Sequence, residues 1–191
     1  MDGLALDTMF AVNAKKVLAG WKYPILLIRS SKGQHPHVKS VFDTPDPHVS
    51  SQDTSQSSEE VNSLDYYLDP EATVIPLVKS DRNAFTHMIT LGRAANNDIV
   101  LADTTLSKLH GWFLLPKNGE DTWVYVDNNS TNGTKVNKHK VLSQRPTHLK
   151  YGDELVTGNI QMLFLSKENI LDLIDYMQNE DGKTKRISRI R

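Results

Sequence analysis

Arg93, Ser107, Thr131 and Asn132 are the residues whose types and spacing carry usable chemistry. They fall in polar clusters between apolar runs: Gly92-Arg93, Ser107-Lys108-Leu109-His110, Ser130-Thr131-Asn132-Gly133-Thr134 and Tyr151-Gly152-Asp153. A guanidinium offers a planar fork of donors and a serine hydroxyl adds one short donor, which together make a minimal clamp for a phosphate group. A phosphorylated side chain brings about −1.5 to −2 charge and three strong acceptor oxygens to such a clamp. Asn132 can donate and accept through one amide, as recognition of an extended peptide backbone requires, and Thr131 can supply a further hydroxyl or a packing methyl.

Taken singly, each residue has a plainer role. An arginine after a strand is more often solvated or salt-bridged, a lone serine more often caps a turn, and Asn132-Gly133 alone is more often a tight turn with positive φ. His110 lies three residues from Ser107, but no third partner for acid-base catalysis is evident, so a buried histidine bracing its loop is the expectation. The chain has no cysteine, which excludes thiolate nucleophiles, disulfides and thiolate-bound zinc. His35, His37 and His48 sit in a polar segment without a frame, so no metal and no cofactor is expected. Glu59-Glu60 likewise lack an enclosing pocket for general acid-base work, and no phosphate-cradling glycine loop occurs. The chain is therefore not expected to be an enzyme.

The elements that must position these clusters follow from periodicity. From residue 64 onward short apolar runs alternate with turn residues about every eight to twelve positions, the pattern of an antiparallel β-sandwich. Val74 to Val78, Met88 to Leu91, Ile99 to Leu101, Trp112 to Leu115, Trp123 to Val126 and Ile160 to Leu165 are the clearest strands. Pro76 assigns the first of them to an edge or bulge, and Asn118-Gly119 signals a hairpin turn. Helical spacing of Leu6, Met9, Phe10, Ala14, Val17 and Leu18 predicts an amphipathic helix over 3–19, and Tyr23 to Ile28 predicts a buried strand able to join a sheet. Ile170, Leu173, Ile174 and Met177 predict a closing helix with Ser166 as its N-cap. The resulting division is an N-terminal helix and strand at 1–29, a flexible Ser/Pro-rich linker at 30–63, a sandwich at 64–166, and a C-terminal helix with a basic tail at 167–191.

The order Gly-Arg, Ser-x-x-His, Asn-Gly resembles the forkhead-associated (FHA) domain, a β-sandwich that binds phosphothreonine peptides through loops at one end. Asp127 to Asn137 and Leu149 to Leu155 extend the resemblance, which covers 72–166. It implies that Arg93 and Ser107 bind the phosphate, Thr131 lines the pocket, Asn132 holds the ligand main chain and Lys108 is an auxiliary cation. Gly92, His110 and Gly133 would support the site structurally. Lys108 departs from the family's more frequent arginine at that place and offers a point charge in place of a fork.

The function expected is a phosphothreonine adaptor in kinase-dependent signalling, partnered by a Ser/Thr kinase or its substrate. The alternative is a structural or assembly protein that binds an unphosphorylated partner. With 22 Lys and Arg against 23 Asp and Glu, the net charge of −1 gives no global attraction to nucleic acid or to an anionic membrane, and neither is an expected partner. The basic tail from Lys183 is expected to stay solvated. No apolar run approaches the ~18 residues of a membrane span and no signal-peptide layout opens the chain, so a cytoplasmic location is expected. Thr44 and Thr54 in the linker permit intramolecular capture after phosphorylation.

Overall fold

A computed structural model describes residues 4–5, 16, 18, 20–29, 72–116 and 121–178. Two sheets face each other. The larger contains β1 (Leu4–Ala5), β2 (Ile25–Ile28), β3 (Thr73–Pro76), β8 (Thr134–Val136), β9 (His139–Lys140), β11 (Glu154–Thr157) and β12 (Ile160–Leu165). The smaller contains β4 (Met88–Gly92), β5 (Ile99–Val100), β6 (Gly111–Leu114), β7 (Trp123–Asp127) and β10 (Thr147–Leu149). Their strand orders are β1-β3-β2-β12-β11-β8-β9 and β10-β7-β6-β4-β5. This is the expected sandwich, with one parallel pair, β4 with β5, among antiparallel neighbours.

Strand β2 explains why its sequence reads as an unbroken apolar run. It lies between β3 and β12, with Leu27 opposite both Val74 and Leu163. Leu26 and Ile28 enter the core between the sheets, while Ile25 and Leu27 join a second core on the outer face of the larger sheet. With both faces covered, all four residues are buried and no polar alternation survives. Residues 25–28 are thus integral to the sheet even though the chain between them and β3 is long. Leu77 donates its amide to the Pro24 carbonyl at 2.8 Å, so strand alternation turns the Pro76 nitrogen to the opposite side, past the end of the two-residue β1. Among the described residues the missing amide hydrogen of Pro76 therefore forfeits no ladder bond.

Helix α1 (Lys167–Gln178) covers that outer face with Ile170, Leu173 and Ile174. Its start is a reciprocal cap: the Asn169 amide donates to Ser166 Oγ at 3.2 Å and the Ser166 amide to Asn169 Oδ1 at 3.1 Å. The helix expected over 3–19 is corrected at its start. Leu4 and Ala5 pair with Val74 and Thr73 as β1, because an exposed β3 edge offers backbone partners that a helix would leave unused. Lys16 and Leu18 have helical backbone, and Leu18 is buried in the outer core. Residues 6–15, the 30–63 linker with Thr44, Thr54 and the three histidines, the Asn118-Gly119 turn and the basic tail lie outside the described residues.

Leu26 is fully buried between the sheets, so Leu26→Ala should cost about 2 to 5 kcal/mol of stability, the usual range for emptying such a site. Denaturant unfolding followed by tryptophan fluorescence measures it. A change within about 0.5 kcal/mol, typical of surface positions, would mean that β2 is a dispensable appendage.

Candidate functional site

Three loops meet at one end of the smaller sheet because the register aligns the strand ends that carry them. Leu91 of β4 is opposite Gly111 of β6, and Gly111 is opposite Asp127 of β7. The segments 93–98, 105–110 and 128–133 therefore emerge side by side.

The first two are zipped together by backbone. Arg93 donates its amide to the Ser107 carbonyl and Ala94 to the Lys108 carbonyl, both at 3.1 Å, while the His110 amide reaches the Leu91 carbonyl at 2.8 Å. Gly92 permits this approach: a Cβ there would stand 2.9 Å from the His110 nitrogen and still closer to the Lys108 carbonyl. Buried Asn97 adds a clasp, donating Nδ2 to the carbonyls of Lys108 at 2.6 Å and Ala94 at 2.8 Å. Behind β4, Asp98 accepts from Lys79 Nζ at 2.7 Å, from the Ser80 amide at 2.9 Å and from the Thr90 amide at 2.8 Å. Burial opposes its charge, but these bonds outweigh burial and hold the carboxyl well below its usual value.

The third loop is held from beneath. Asp127, 2% exposed, accepts from the Ser130 amide at 2.9 Å, Ser130 Oγ at 2.7 Å and Thr134 Oγ1 at 2.8 Å. Since the Thr134 proton goes to Asp127, the Tyr125 hydroxyl, 3.2 Å away, is the donor to Thr134 Oγ1. Burial pushes the Asp127 carboxyl up, yet the Ser130 and Thr134 bonds prevail and leave it lowered. Gly133 takes φ +71°, a conformation that strains any residue with a Cβ.

His110 ties the second loop to the third. Its Nδ1 accepts the Ser107 amide at 3.2 Å, so the other ring nitrogen carries the proton and Nε2 donates to the Gly133 carbonyl at 3.2 Å. Burial drives its pKa down against the opposing pull of the Gly133 bond and the Asp127 charge, which keeps the ring neutral. The 3.8 Å approach of Nε2 to Asp127 is then not an ion pair.

Above this frame, Ser107 Oγ accepts the Thr131 amide at 3.1 Å and lies 3.4 Å from Thr131 Oγ1. Asn132 Nδ2 donates to the Thr105 carbonyl at 2.7 Å, which leaves its carbonyl oxygen and second amide hydrogen for other partners. Ser107, Thr131 and Asn132 are thus brought together, with the Arg93 backbone bound to Ser107. The Arg93 and Lys108 side chains are exposed, and among the described residues no carboxylate pairs with either. The arrangement is a rim of polar groups with two exposed cations on its loops. Sequence reasoning missed the positioning residues Asn97, Thr105 and Thr134 and the central part played by Asp127. Only Asp127 had a local signal, a serine three residues on, the spacing of a capping bond from a backbone amide to an aspartate side chain. Among the described residues no His, Asp or Glu cluster has a metal-holding arrangement, and no helix is long and apolar enough to cross a membrane.

Comparison with known proteins agrees with this geometry. The family model described as FHA domain matches residues 89–158. An oxoglutarate dehydrogenase inhibitor from Corynebacterium jeikeium is 33% identical over 103 residues, covering 51% of this chain and 67% of that protein. The glycogen accumulation regulator GarA of Mycobacterium tuberculosis is also 33% identical over 103 residues, covering 51% of this chain and 60% of that one. Among solved structures, the N-terminal FHA domain of Rad53p from S. cerevisiae, in complex with a phosphothreonine peptide, has 25% identity and a TM-score of 0.39 over 52% of this chain and 89% of that chain. With the signature residues gathered on three adjoining loops and two thirds of a curated relative matched, the chain belongs to the FHA domain family.

Proposed function

We propose that this chain is a phosphothreonine-peptide-binding adaptor that docks phosphorylated protein partners in kinase-dependent signalling. The observation that carries the reading is the convergence of Ser107, Thr131 and Asn132, with two cations beside them that no carboxylate among the described residues neutralises. Arg93 supplies the charge-assisted fork to the phosphate, Lys108 a second positive charge, and the Ser107 and Thr131 hydroxyls short donors. Asn132, its side chain oriented by Thr105, holds the peptide main chain. Gly92, His110 and Gly133 support the loops without touching the ligand. The names of the two relatives, an inhibitor and a regulator, fit a protein that acts by binding.

Among the described residues His110 does not serve as a catalytic base. Both nitrogens of His110 are engaged by backbone groups, and its Nδ1 faces the Ser107 amide, not the hydroxyl, so it has no free base to offer. The adaptor is accordingly read as non-enzymatic, and a role in kinase-dependent signalling favours a cytoplasmic location.

Arg93→Ala should leave the fold intact, because the side chain is exposed, and should weaken phosphopeptide binding by at least about tenfold, since charged hydrogen bonds contribute about 1.5 to 3 kcal/mol. Ser107→Ala should weaken it less. Calorimetric titration decides; equal binding of phosphorylated and unphosphorylated peptides by the parent protein would favour an assembly protein instead.

Loop support also sets a pH signature. His110 is held neutral with a pKa below its ordinary 6.5, so the unfolded chain binds the extra proton first as pH falls. Its contribution to stability is complete above 6.5 and is lost on acidification below that value. Unfolding midpoints measured from pH 7.5 to about pH 5 should fall, and His110→Gln, already destabilised, should fall less steeply. Parallel profiles would exclude His110 as the loop's proton-sensitive brace.

A further inference from the structure

Between Asp127 and Asp153 the sequence contains no acid, yet it carries Lys135, Lys138, Lys140, Arg145 and Lys150, leaving 17 of the 22 Lys and Arg to face all 23 Asp and Glu elsewhere. The fold gathers much of this stretch around one cleft of about 450 Å³. It opens where the two sheets end on the same side, with β9 closing the larger sheet and β10 the smaller. Val136 and Val141, both buried, form an apolar floor, and Leu142 is left 71% exposed at the rim. Lys140, Arg145, His148 and Lys150 line it and are exposed. The cleft's lone carboxylate, Asp153, is already engaged by the Lys150 amide and Asn137 Nδ2, both at 2.8 Å.

The cleft is continuous with the candidate peptide-binding loops. Lys140 Cε lies 3.7 Å from the place a Cβ would occupy on Gly133, next to Asn132. The segment after β9 is fastened to the third loop by the Gln144 amide on the Asp127 carbonyl at 2.9 Å and by Gln144 Nε2 on Asn128 Oδ1 at 3.1 Å.

We propose that this cleft is a second recognition surface, which takes an acidic, extended segment of a protein partner. Cations above an apolar floor, with Leu142 at the rim, suit a peptide that alternates carboxylates with aliphatic side chains. Two strand edges with no neighbour among the described residues offer backbone groups to an extended chain. The lining contains no Phe, Tyr or Trp on which a nucleic-acid base could stack, which sets an oligonucleotide aside. The surface would act in series with the phosphothreonine site, so that a partner bearing both features is held at two points; only this last step rests on the proposed function.

The test uses the full chain and three probes: an unphosphorylated peptide of about ten residues alternating Glu and Leu, a phosphothreonine peptide without acidic residues, and a single-stranded oligonucleotide of equal charge. The acidic peptide should shift amides over 136–150, and Arg145→Glu/Lys150→Glu should weaken its binding by about tenfold or more while leaving the phosphothreonine peptide unaffected. Absence of those shifts, or equal binding by the double variant, overturns the proposal, as does an oligonucleotide that binds as well as the peptide. If the acidic peptide binds and the phosphothreonine peptide does not, the second surface stands and the phosphothreonine reading fails.

Discussion

A buried carboxylate governs this end of the molecule. Asp127 is almost sealed from water, and an ionised group in that position is tolerable only when its oxygens are fully hydrogen-bonded. Three donors come from Ser130 and Thr134, so satisfying the charge fixes the path of the loop between them. That loop carries Thr131, Asn132 and Gly133. The position of the groups proposed to face the ligand is thus set by the need of a group that faces inward.

His110 extends the same logic across the rim. A neutral imidazole both accepts and donates, and here each nitrogen engages a different loop, Ser107 on one side and Gly133 on the other. The strand register does the remaining positioning, since Leu91, Gly111 and Asp127 stand abreast and their loops leave the sheet together. A surface made of loops is thereby given the rigidity of the sheet and polar network beneath it, which recognition of a small anion requires.

Much of this was legible in the sequence. Strands with strong apolar or aromatic content, such as Trp123 to Val126 and Ile160 to Leu165, were visible by pattern, and three of the four polar clusters are gathered on one rim, while Tyr151-Gly152-Asp153 bonds instead to Asp121, Phe164 and Asn137. The strands that escaped notice, β8 to β11, are short and polar. The β8–β9 hairpin turns on Asn137-Lys138 with φ of 49° and 70°, a turn that Asn-Gly would have advertised and that lysine hides. Register could not be read either, so neither the contact of His110 with Gly133 nor the clasp by Asn97 had a local signal. The N-terminal pattern of helical spacing misled at Leu4 and Ala5 because the open edge of β3 competes for backbone bonds. The basic stretch from Lys135 to Lys150 stands in the sequence without an acid, but the cleft does not, because Lys140, Arg145 and Lys150 line one opening only when β9 and β10 end their sheets on the same side.

The central claim is that the three loops form one phosphate-dependent peptide site. Two-dimensional amide spectra recorded during titration with a phosphothreonine peptide, and again with its unphosphorylated twin, test it most directly. The largest shifts should fall on Arg93, Ser107, Lys108, Thr131 and Asn132, and they should be absent with the unphosphorylated peptide. Shifts that lie elsewhere, or that are the same with both peptides, would contradict the claim.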